Sequence, residues 1–533
     1  MLDYAAARAR PYWLLDLEVA GTVYRFASAA VSVTDAAGNV YDYVEGLAEP
    51  SISLVQTGAA EASVALTVLS SVDWALIESQ GHSLERARGV LRRWWAGGVL
   101  ELSRVYLRGL AAGIRYGEAG EPLAFALVRS PRLEADTLPD IQAAATPETW
   151  PVRIGFVLPD KSVGVAYPLI IGYPGHDPSA AVPHAGVPVV YVEYDGNAAF
   201  DRILIHLGAI DASQVQLHNR TDGNTEIRTP ALEVDGLGRT VSTIGFGGGV
   251  ALGANDEYWI GLQDDATYGG GLPSPFGPGP LRGAGAVISW VLIEHSGLMV
   301  DAGRMAAAAP WLDQFQVDTY LNTPVNLWDW LTGAVLSWLP VTPRESELGL
   351  YFAPVRWDYT RVDVVAFLAA GRDIERAGPV GRLDQPIYNE ITVRYRPSSE
   401  GGKWHTSRTV TATAGTLSAT DGTTDDVRVG ASFHAARSQA IHGVRPYVVD
   451  IAATWDDATA SLVAELLIDR YAWPKRTVQY TGGRELEALE PGQAVAITDP
   501  AVHLSEAIAI LIDVTPIAGG VMLDLIILDH PAG

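Results

Sequence analysis

Hydrophobic and polar residues alternate in several short stretches of the chain. The segments 63–68, SVALTV, and 389–397, NEITVRYRP, place an apolar residue at every second position. This period of two is typical of a strand with one buried face. The segment 31–44, VSVTDAAGNVYDYV, has two β-rich runs around a turn sequence and predicts a hairpin.

A second hairpin is predicted near the end of the chain. The runs AIAILIDV and VMLDLIIL flank the Gly519-Gly520 pair, and glycine pairs commonly mark turns. The expected facing residues are Ile508, Ile510 and Ile512 on one strand and Val521, Leu523 and Leu525 on the other.

Other stretches place apolar residues three or four positions apart and predict helices. They are 83–98, SLERARGVLRRWWAGG; 286–312, AVISWVLIEHSGLMVDAGRMAAAAPWL; and 325–341, VNLWDWLTGAVLSWLPV. A further helix follows Trp455. Asp456 or Asp457 is expected to accept amide hydrogens at its first turn, and Trp473-Pro474 is expected to end it, because proline lacks the donor.

Glycine and proline set the central part of the chain apart. Between 146 and 285 they interrupt short β-like runs, above all in YGGGLPSPFGPGPLRGAG, which indicates one or two β domains with long surface loops. The predicted fold is therefore mainly β with some α structure (α+β) and multi-domain. The predicted domains are 1–145, 146–285, 286–385 and 386–533.

Composition narrows the function classes. The 533 residues carry a net charge of −25 and no cysteine. The charge opposes stable binding to nucleic acid or to an anionic membrane surface, since both need clustered cations. The absence of cysteine excludes disulfides, Cys-ligated metals and a cysteine nucleophile. No secretory signal and no uncharged apolar stretch of about 18 residues is present, so membrane insertion is not expected.

The order of several motifs resembles a known family. The strand N-x-I-x-V-x-Y at 389–395 is followed by SQAIHGVRPYVVDI, the capped helix, RYAWPKRTVQY and ELEALEPGQAVAIT. This order resembles the C-terminal part of baseplate and tail-tip hub proteins of tailed bacteriophages and gene-transfer particles. The segments LMVDAGRMAAAAPWL, VNLWDWLTGAVLSWLPV and GLYFAPVRW resemble the middle of the same proteins. Gln493 and His442-Gly443 depart from the family, which often has an acidic residue and an aromatic residue there.

The resemblance implies a structural protein and no enzyme. It implies a homotrimer in which 1–145 and 386–533 are tube-like β-barrel or sandwich domains, each with a helix, and 146–285 is an insertion. The implied partners are other copies of the chain, the tail tube and distal tail proteins, the C-terminus of the tape-measure protein, and spike or fibre proteins. Acidic residues lining the bore of such a ring would repel DNA phosphates. The implied location is the virion tail tip, after synthesis in the host cytoplasm.

A cell-wall hydrolase is the enzymatic alternative, and its motifs are incomplete. His218 to Asp222 fits H-x-x-x-D, but no H-x-H follows, and a zinc site needs three converging ligands. GASFH at 430–434 lacks the last glycine of a serine elbow, so Ser432 and His434 are expected in a strand or loop. The pairs Asp264-Asp265 and Asp456-Asp457 are adjacent, unlike the separated acids of glycosidases. No catalytic, metal or cofactor site is predicted.

A carbohydrate- or receptor-binding tip protein is the other alternative. Its recognition module would be the central β region. Tyr258, Trp259 and Tyr268 lie in this glycine-rich part and are the predicted carbohydrate-binding residues, since aromatic rings combine an apolar face with a polar tip.

Overall fold

The computed structural model describes residues 11–54, 60–66, 79–115, 123–128, 137–138, 144–175, 186–195, 199–246, 252–253, 256–262, 270–295, 299–346, 348–397, 404–411, 416–419, 424–426, 429–517 and 520–528. The prediction of a mainly β chain with some α structure is confirmed. Tyr268, Asp264 and Asp265 lie outside the described residues.

Nine strands near the N-terminus form the first sheet. They are β1 (Pro11–Val19), β2 (Thr22–Ala27), β3 (Val31–Thr34), β4 (Val40–Glu45), β5 (Ser51–Leu54), β6 (Ala60–Leu66), β7 (Arg88–Trp95), β8 (Arg104–Arg115) and β9 (Leu123–Val128). Their spatial order is β3-β4-β2-β1-β7-β8-β9-β6-β5. The hairpin predicted at 31–44 is confirmed as the antiparallel pair β3–β4.

The helix predicted at 83–98 is wrong, because this segment contains the central strand β7. Both faces of β7 are covered: Leu91 packs in one core of the first sheet, and Trp94 packs in the core on the other face. Apolar residues on both faces abolish the alternation that marks a half-buried strand. The resulting cluster of large residues therefore resembles the apolar face of an amphipathic helix.

Eleven strands follow between the first sheet and the helices. They are β10 (Thr137–Leu138), β11 (Leu169–Ile171), β12 (Val187–Pro188), β13 (Val190–Tyr194), β14 (Ala199–Leu207), β15 (Val215–Asn219), β16 (Thr225–Arg228), β17 (Ala231–Val234), β18 (Thr240–Gly245), β19 (Leu252–Gly253) and β20 (Tyr258–Gly261). One sheet has the order β12-β20-β15-β16, and another has the order β13-β14-β18-β17 with β19 beside β14.

A histidine lies fully buried in this central β region. His206 on β14 has no solvent exposure, and its Nδ1 accepts a hydrogen bond of 3.1 Å from the amide of Ile170. Burial lowers the pKa of His206 from its usual 6.5 to about 3, because the charged form would lose its hydration. The side chain is therefore neutral in the folded protein at ordinary pH.

We expect His206 to make the central region less stable as the pH is lowered. Below pH 6.5 this histidine is protonated in the unfolded chain, but in the folded chain it stays neutral down to about pH 3. The free energy of unfolding therefore falls by about 1.4 kcal/mol for each pH unit below 6.5 within this window. At pH 5 the loss from this residue is about 2 kcal/mol. Denaturant unfolding between pH 7 and 4 should show a shallower decline in His206→Gln. The matched control His82→Gln, at an exposed position, should keep the wild-type slope, and an unchanged slope in His206→Gln would contradict the assignment.

Short helices and strands form the next block. The helices are α1 (Ala284–Trp290), α2 (Ala302–Leu312) and α3 (Leu327–Trp330), and the strands are β21 (Thr319–Leu321), β22 (Val325–Asn326), β23 (Val341–Ser346) and β24 (Gly349–Pro354). The first and third helices continue as π-helical turns, Val291–His295 and Leu331–Leu336. Helices predicted in 286–312 and 325–341 are thus confirmed. Among the helices in the described ranges, none has the length and hydrophobicity needed to cross a bilayer.

The described residues after Pro354 form two sheets and two helices. The strands are β25 (Val364–Ala369), β26 (Ile374–Arg376), β27 (Gly381–Arg382), β28 (Glu390–Pro397), β29 (Trp404–Thr411), β30 (Thr416–Ala419), β31 (Thr424–Asp426), β32 (Pro446–Asp450), β33 (Arg476–Gly482), β34 (Ala494–Asp499), β35 (Leu504–Ile517) and β36 (Gly520–Ile527). The helices are α4 (Val429–His442) and α5 (Asp457–Tyr471). The C-terminal sheet has the order β25-β34-β35-β36-β33-β26, with β27 beside β33, and the other sheet has the order β31-β30-β29-β28-β32.

The predicted boundaries of α5 are confirmed. Asp456 is the N-cap, and its Oδ2 accepts a hydrogen bond of 2.7 Å from the amide of Thr459. The helix ends at Tyr471, just before Trp473-Pro474. The prediction for Ser432 and His434 is wrong, because both lie in α4.

The predicted C-terminal hairpin exists, but its facing residues are corrected. The strands β35 and β36 are antiparallel partners. Ile510 packs against Trp357 on one face, whereas Val521, Leu523 and Leu525 belong to the core on the opposite face. The register shifts between Leu511 and Asp513, and a bulge of this kind changes which residues share a face.

One hydrophobic core connects the short helices of the middle block to β28 and α5. It contains Val287 of α1, Leu331 after α3, Ile391 of β28 and Val463 of α5. The first sheet and the C-terminal sheet each have a core of their own. The division into domains at 145, 285 and 385 stays a prediction.

Candidate assembly interface

The first sheet contacts the C-terminal part of the chain through the carboxylate of Glu487. Trp95 on β7 donates a hydrogen bond to it, and Tyr106 on β8 donates another of 3.4 Å to Oε1. Arg93 forms an ion pair with the same oxygen, with 3.7 Å between Nη1 and Oε1. Arg104 donates to the backbone oxygen of Glu487 at 2.7 Å. Four side chains from neighbouring strands therefore converge on one short 3-10 turn, Arg484–Ala488.

This contact is buried and electrostatically balanced. The side chain of Arg93 is 3% exposed and that of Glu487 is 8% exposed. A buried carboxylate is tolerated only when it is paired and hydrogen-bonded. Burial, assisted by the Glu487 charge and opposed by the Arg104 charge, raises the pKa of Tyr106 to about 12. The Tyr106 hydroxyl thus keeps its proton and remains a donor at ordinary pH.

Arg93 also holds the turn between β35 and β36. Its Nη2 donates a hydrogen bond of 2.7 Å to the backbone oxygen of Ile517, and Nη1 lies 3.4 Å from the oxygen of Gly520. The Arg484 guanidinium lies over the Trp95 ring at 5.2 Å. One arginine of the first sheet therefore contacts two separate segments of the C-terminal sheet.

A second polar junction lies at the fully buried Asp318, just before β21. Its Oδ1 accepts hydrogen bonds from the amide of Tyr173 at 2.9 Å and from Nε of Arg282 at 2.7 Å. Its Oδ2 accepts hydrogen bonds from Nη2 of Arg282 at 3.2 Å and from the amide of Trp455 at 3.1 Å. A side chain at Gly172 would place its Cβ 2.4 Å from Oδ1. Asp318 thus joins the central β region to the start of α5.

A third cluster surrounds Asp457 at the start of α5. Tyr395 donates a hydrogen bond of 2.7 Å to its Oδ1, and Arg396 donates one of 2.5 Å to the same atom. Arg408 approaches Oδ2 at 3.2 Å. Arg396 has a left-handed backbone, with φ at 57°. The adjacent acids Asp456 and Asp457 therefore cap α5 and pair with arginines.

The structure places two of the three predicted carbohydrate-binding residues. Tyr258 and Trp259 are consecutive residues of β20, so their side chains point to opposite faces of the sheet, and they are 8% and 6% exposed. The Tyr258 hydroxyl is hydrogen-bonded to Asp256, and the Trp259 Nε1 donates to Glu257 at 2.7 Å. The Arg220 guanidinium lies 4.5 Å from the Trp259 ring centre. Carbohydrate binding at Tyr258, Trp259 and Tyr268 stays a prediction.

The residues considered for hydrolysis have structural partners. His218 contacts Thr225 Oγ1 at 2.9 Å, and Asp222 accepts the amide of Asn224 in the same hairpin. Within the described ranges, no group of three His, Asp or Glu side chains is arranged to hold a metal ion.

Sequence reasoning missed Arg93, Glu487 and Asp318. None of the three belongs to a motif for catalysis or metal binding, and their partners lie far away in the sequence. The one available signal was the pair Arg92-Arg93 inside the apolar stretch 90–95, since arginine is rarely fully buried unless it is paired.

No protein-family model and no curated protein matches the chain. The chain is similar to the structure of a tail protein from Neisseria meningitidis MC58, at 11% identity and a TM-score of 0.34, over 97% of this chain and 96% of that one. It is also similar to the prophage MuSo2 43 kDa tail protein from Shewanella oneidensis, at 9% identity and a TM-score of 0.31, over 97% and 98%. A chain from the virion of a native gene transfer agent particle matches at 16% identity and a TM-score of 0.20, over 49% of this chain and 81% of that one. Two of these structures are tail proteins and the third belongs to a gene-transfer particle. These are the kinds of protein that the sequence resembles.

Proposed function

We propose that this chain is a structural protein of a phage tail tip or baseplate, and that three copies form the hub that caps the tail tube. The observation that carries the proposal is the buried contact of Arg93 and Glu487, which holds the first sheet against the C-terminal sheet. Each chain then contributes two β blocks in a fixed arrangement. Three such chains would supply six blocks, which suits a ring that continues a sixfold tube.

Free sheet edges support the assembly of such a ring. In the described residues, β3 and β5 end the first sheet, and β25 and β26 end the C-terminal sheet. The edge strand β25 exposes Val365 and Phe367 on one face, at 54% and 50%. An edge strand, which has one unpaired side, is a ready surface for another chain when it also exposes apolar side chains. We assign the face of Val365 and Phe367 to the contact between copies.

The remaining parts of the proposal follow from charge and from the sequence resemblance. The net charge of −25 suits a bore through which DNA slides without adhering. The hub would contact the tail tube, the distal tail proteins, the tape-measure C-terminus and spike or fibre proteins, in a virion assembled in the host cytoplasm. It would hold no cofactor and perform no catalysis.

We expect Phe367→Glu to prevent ring assembly. The substitution places three added charges, one per copy, in the contacts between neighbours, where an unpaired carboxylate would lose its hydration. Imaging of particles that carry a tagged chain should show a trimer at the tail tip in the wild type and no incorporation of the variant. The matched control is Val362→Glu, because Val362 is 92% exposed and precedes the strand.

Three outcomes would contradict the proposal. A single copy per particle would exclude the ring. Incorporation of Phe367→Glu equal to that of the control would exclude this face as the contact. A clear band in peptidoglycan zymography would favour the hydrolase alternative over a structural role.

A further inference from the structure

Two consecutive strands of the central β region each lie at the edge of a sheet. The strand β16 ends the order β12-β20-β15-β16, and β17 ends the order β13-β14-β18-β17. Thr229 and Pro230 alone separate the two strands along the chain. Among the described strands, none pairs with the outer side of β16 or of β17. We call the segment 225–234, with this unpaired side, the free edge.

The backbone of β17 directs two residues outward. The amide of Asp235 donates a hydrogen bond of 2.9 Å to the oxygen of Arg239 and so closes the hairpin of β17 and β18. In an antiparallel pair, residues that bond to the partner alternate with residues whose backbone groups point away from it. Counted back from Asp235, Glu233 therefore bonds to β18. Leu232 and Val234 direct their N–H and C=O groups to the outer side.

The same alternation applies to β16. The amide of Asn219 donates a hydrogen bond of 2.8 Å to the oxygen of Asn224 and closes the hairpin of β15 and β16. Counted from Asn224, Glu226 bonds to β15, whereas Thr225 and Ile227 direct their backbone groups to the outer side. The free edge thus offers backbone donors and acceptors along both of its strands.

Residues that direct their backbone groups outward also expose apolar side chains. Ile227 is 55% exposed, Leu232 is 64% exposed and Val234 is 67% exposed. Leu232 and Val234 are two positions apart, so their side chains lie on the same face of β17. Unused backbone groups give affinity for an added strand, and side chains at alternate positions give specificity. The free edge combines both features.

Charged side chains along the free edge are already paired within the chain. Arg228 pairs with Glu226, and Glu233 pairs with Arg202 of β14. Edge strands are commonly protected by lysine or by proline, which oppose the approach of a second strand. The segment 225–234 contains no lysine, and Pro230 lies between the strands, so it removes no donor from either one. The exposed apolar residues therefore lack this protection.

We propose that the free edge binds an extended strand of a partner protein, which adds to the sheet beside β17. The partner strand pairs with the backbone groups of Leu232 and Val234. Its side chains at the contact are apolar and uncharged, because the ionic groups of the free edge already neutralise one another. This goes beyond the proposed ring, whose contact lies on β25.

Symmetry argues against a second copy of β17 as the occupant. Two β17 strands paired in antiparallel fashion would be related by a twofold axis, so the same surface would contribute from both copies. A ring of three copies uses contacts between two different surfaces instead. The free edge is therefore available to another protein after such a ring has formed.

The test compares two probes on the full chain by fluorescence anisotropy. One probe is fluorescein-Gly-Ser-Thr-Val-Thr-Val-Thr-Ser-Gly, which alternates apolar and polar side chains. The other is the same peptide with its three central backbone nitrogens methylated, so that neither side of the peptide can pair with a strand. We expect saturable binding of the first probe and about tenfold weaker binding of the second, because methylation removes backbone donors and keeps the side chains.

Variants of the full chain then locate the binding. Val234→Pro removes an N–H that points away from β18, so it should weaken binding of the first probe about tenfold while the thermal midpoint stays near the wild-type value. Leu232→Lys places a charge on the free edge and should also weaken binding about tenfold. The matched control Val163→Lys changes a residue that is 50% exposed outside the free edge and should leave the affinity unchanged.

The proposal is overturned if the first probe does not bind saturably, or if the methylated probe binds equally well. It is also overturned if Leu232→Lys binds the first probe as tightly as the control does. Sedimentation of the full chain supplies a further outcome. Self-association that Leu232→Lys abolishes, without binding of the peptide, would assign the free edge to a second copy and reject a different partner.

Discussion

Replacing Asp318 by alanine should lower the free energy of unfolding by about 3–5 kcal/mol. The carboxylate is fully buried, and it is the acceptor for the Arg282 guanidinium and for the amides of Tyr173 and Trp455. Its removal leaves two amide hydrogens without this acceptor and takes the nearest carboxylate from the nearly buried Arg282, whose other carboxylate contact, with Asp456, is longer at 3.6 Å. The lost stability therefore includes the desolvation cost of the polar groups that remain buried. This cost is larger than the net stabilisation that the hydrogen bonds provide in the wild type. Thermal and urea unfolding measure the effect.

Two further variants separate this explanation from a general loss of packing. Asp318→Asn keeps one acceptor oxygen but no charge, and it should fall between the wild type and Asp318→Ala. Asp329→Ala removes an aspartate that is exposed on α3 and should change the stability by less than about 0.5 kcal/mol. Equal losses at Asp318 and Asp329 would show that the junction does not join the central region to α5.

Replacing Glu487 by leucine should loosen the first sheet from the C-terminal sheet, at a cost of about 3 kcal/mol. Arg93 would keep its hydrogen bond to the oxygen of Ile517 but would lose its buried counter-ion. Trp95 and Tyr106 would lose their acceptor. Limited proteolysis should then cleave the chain between the two sheets faster, and the thermal midpoint should fall.

The double variant Arg93→Met with Glu487→Leu provides the decisive comparison. A buried ion pair replaced by apolar residues of similar volume is often neutral or stabilising, so the double variant should recover much of the stability lost in Glu487→Leu. Glu485→Leu is the matched control, because Glu485 is exposed two residues away. A double variant less stable than the single variant would contradict the role of the Arg93 charge.

These two junctions explain how a long chain with several separate cores keeps a fixed arrangement. The first sheet and the C-terminal sheet are each stabilised by apolar residues of their own. The contacts between them at Glu487 are polar and directional, and they are almost completely buried from solvent. Directional bonds define one relative orientation, whereas apolar contact alone tolerates several. A ring of several copies requires such a defined orientation in every chain.

The sequence by itself determined the elements whose signals are local. The hairpin of β3 and β4, the N-cap at Asp456 and the end of α5 before Trp473-Pro474 are dictated by turn residues, a capping side chain and a proline. Each of these signals acts within a few residues of the chain, so the structure that it causes can be predicted without knowledge of the tertiary structure.

The tertiary structure alone decided the rest. It made 88–95 a strand, because β7 pairs with β1 and β8 along its two edges and contributes apolar residues to a core on each face, which hides its period. It also placed Ile510 and Leu523 on opposite faces, since a bulge in β35 changes the register. Glu487 and Asp318 became junctions because partners far away in sequence were brought to them. Long-range contacts of this kind produce no periodic pattern in the sequence around the residues that make them. Hydrophobic patterning therefore predicts the helices and strands, whereas only the folded chain shows which residues join them.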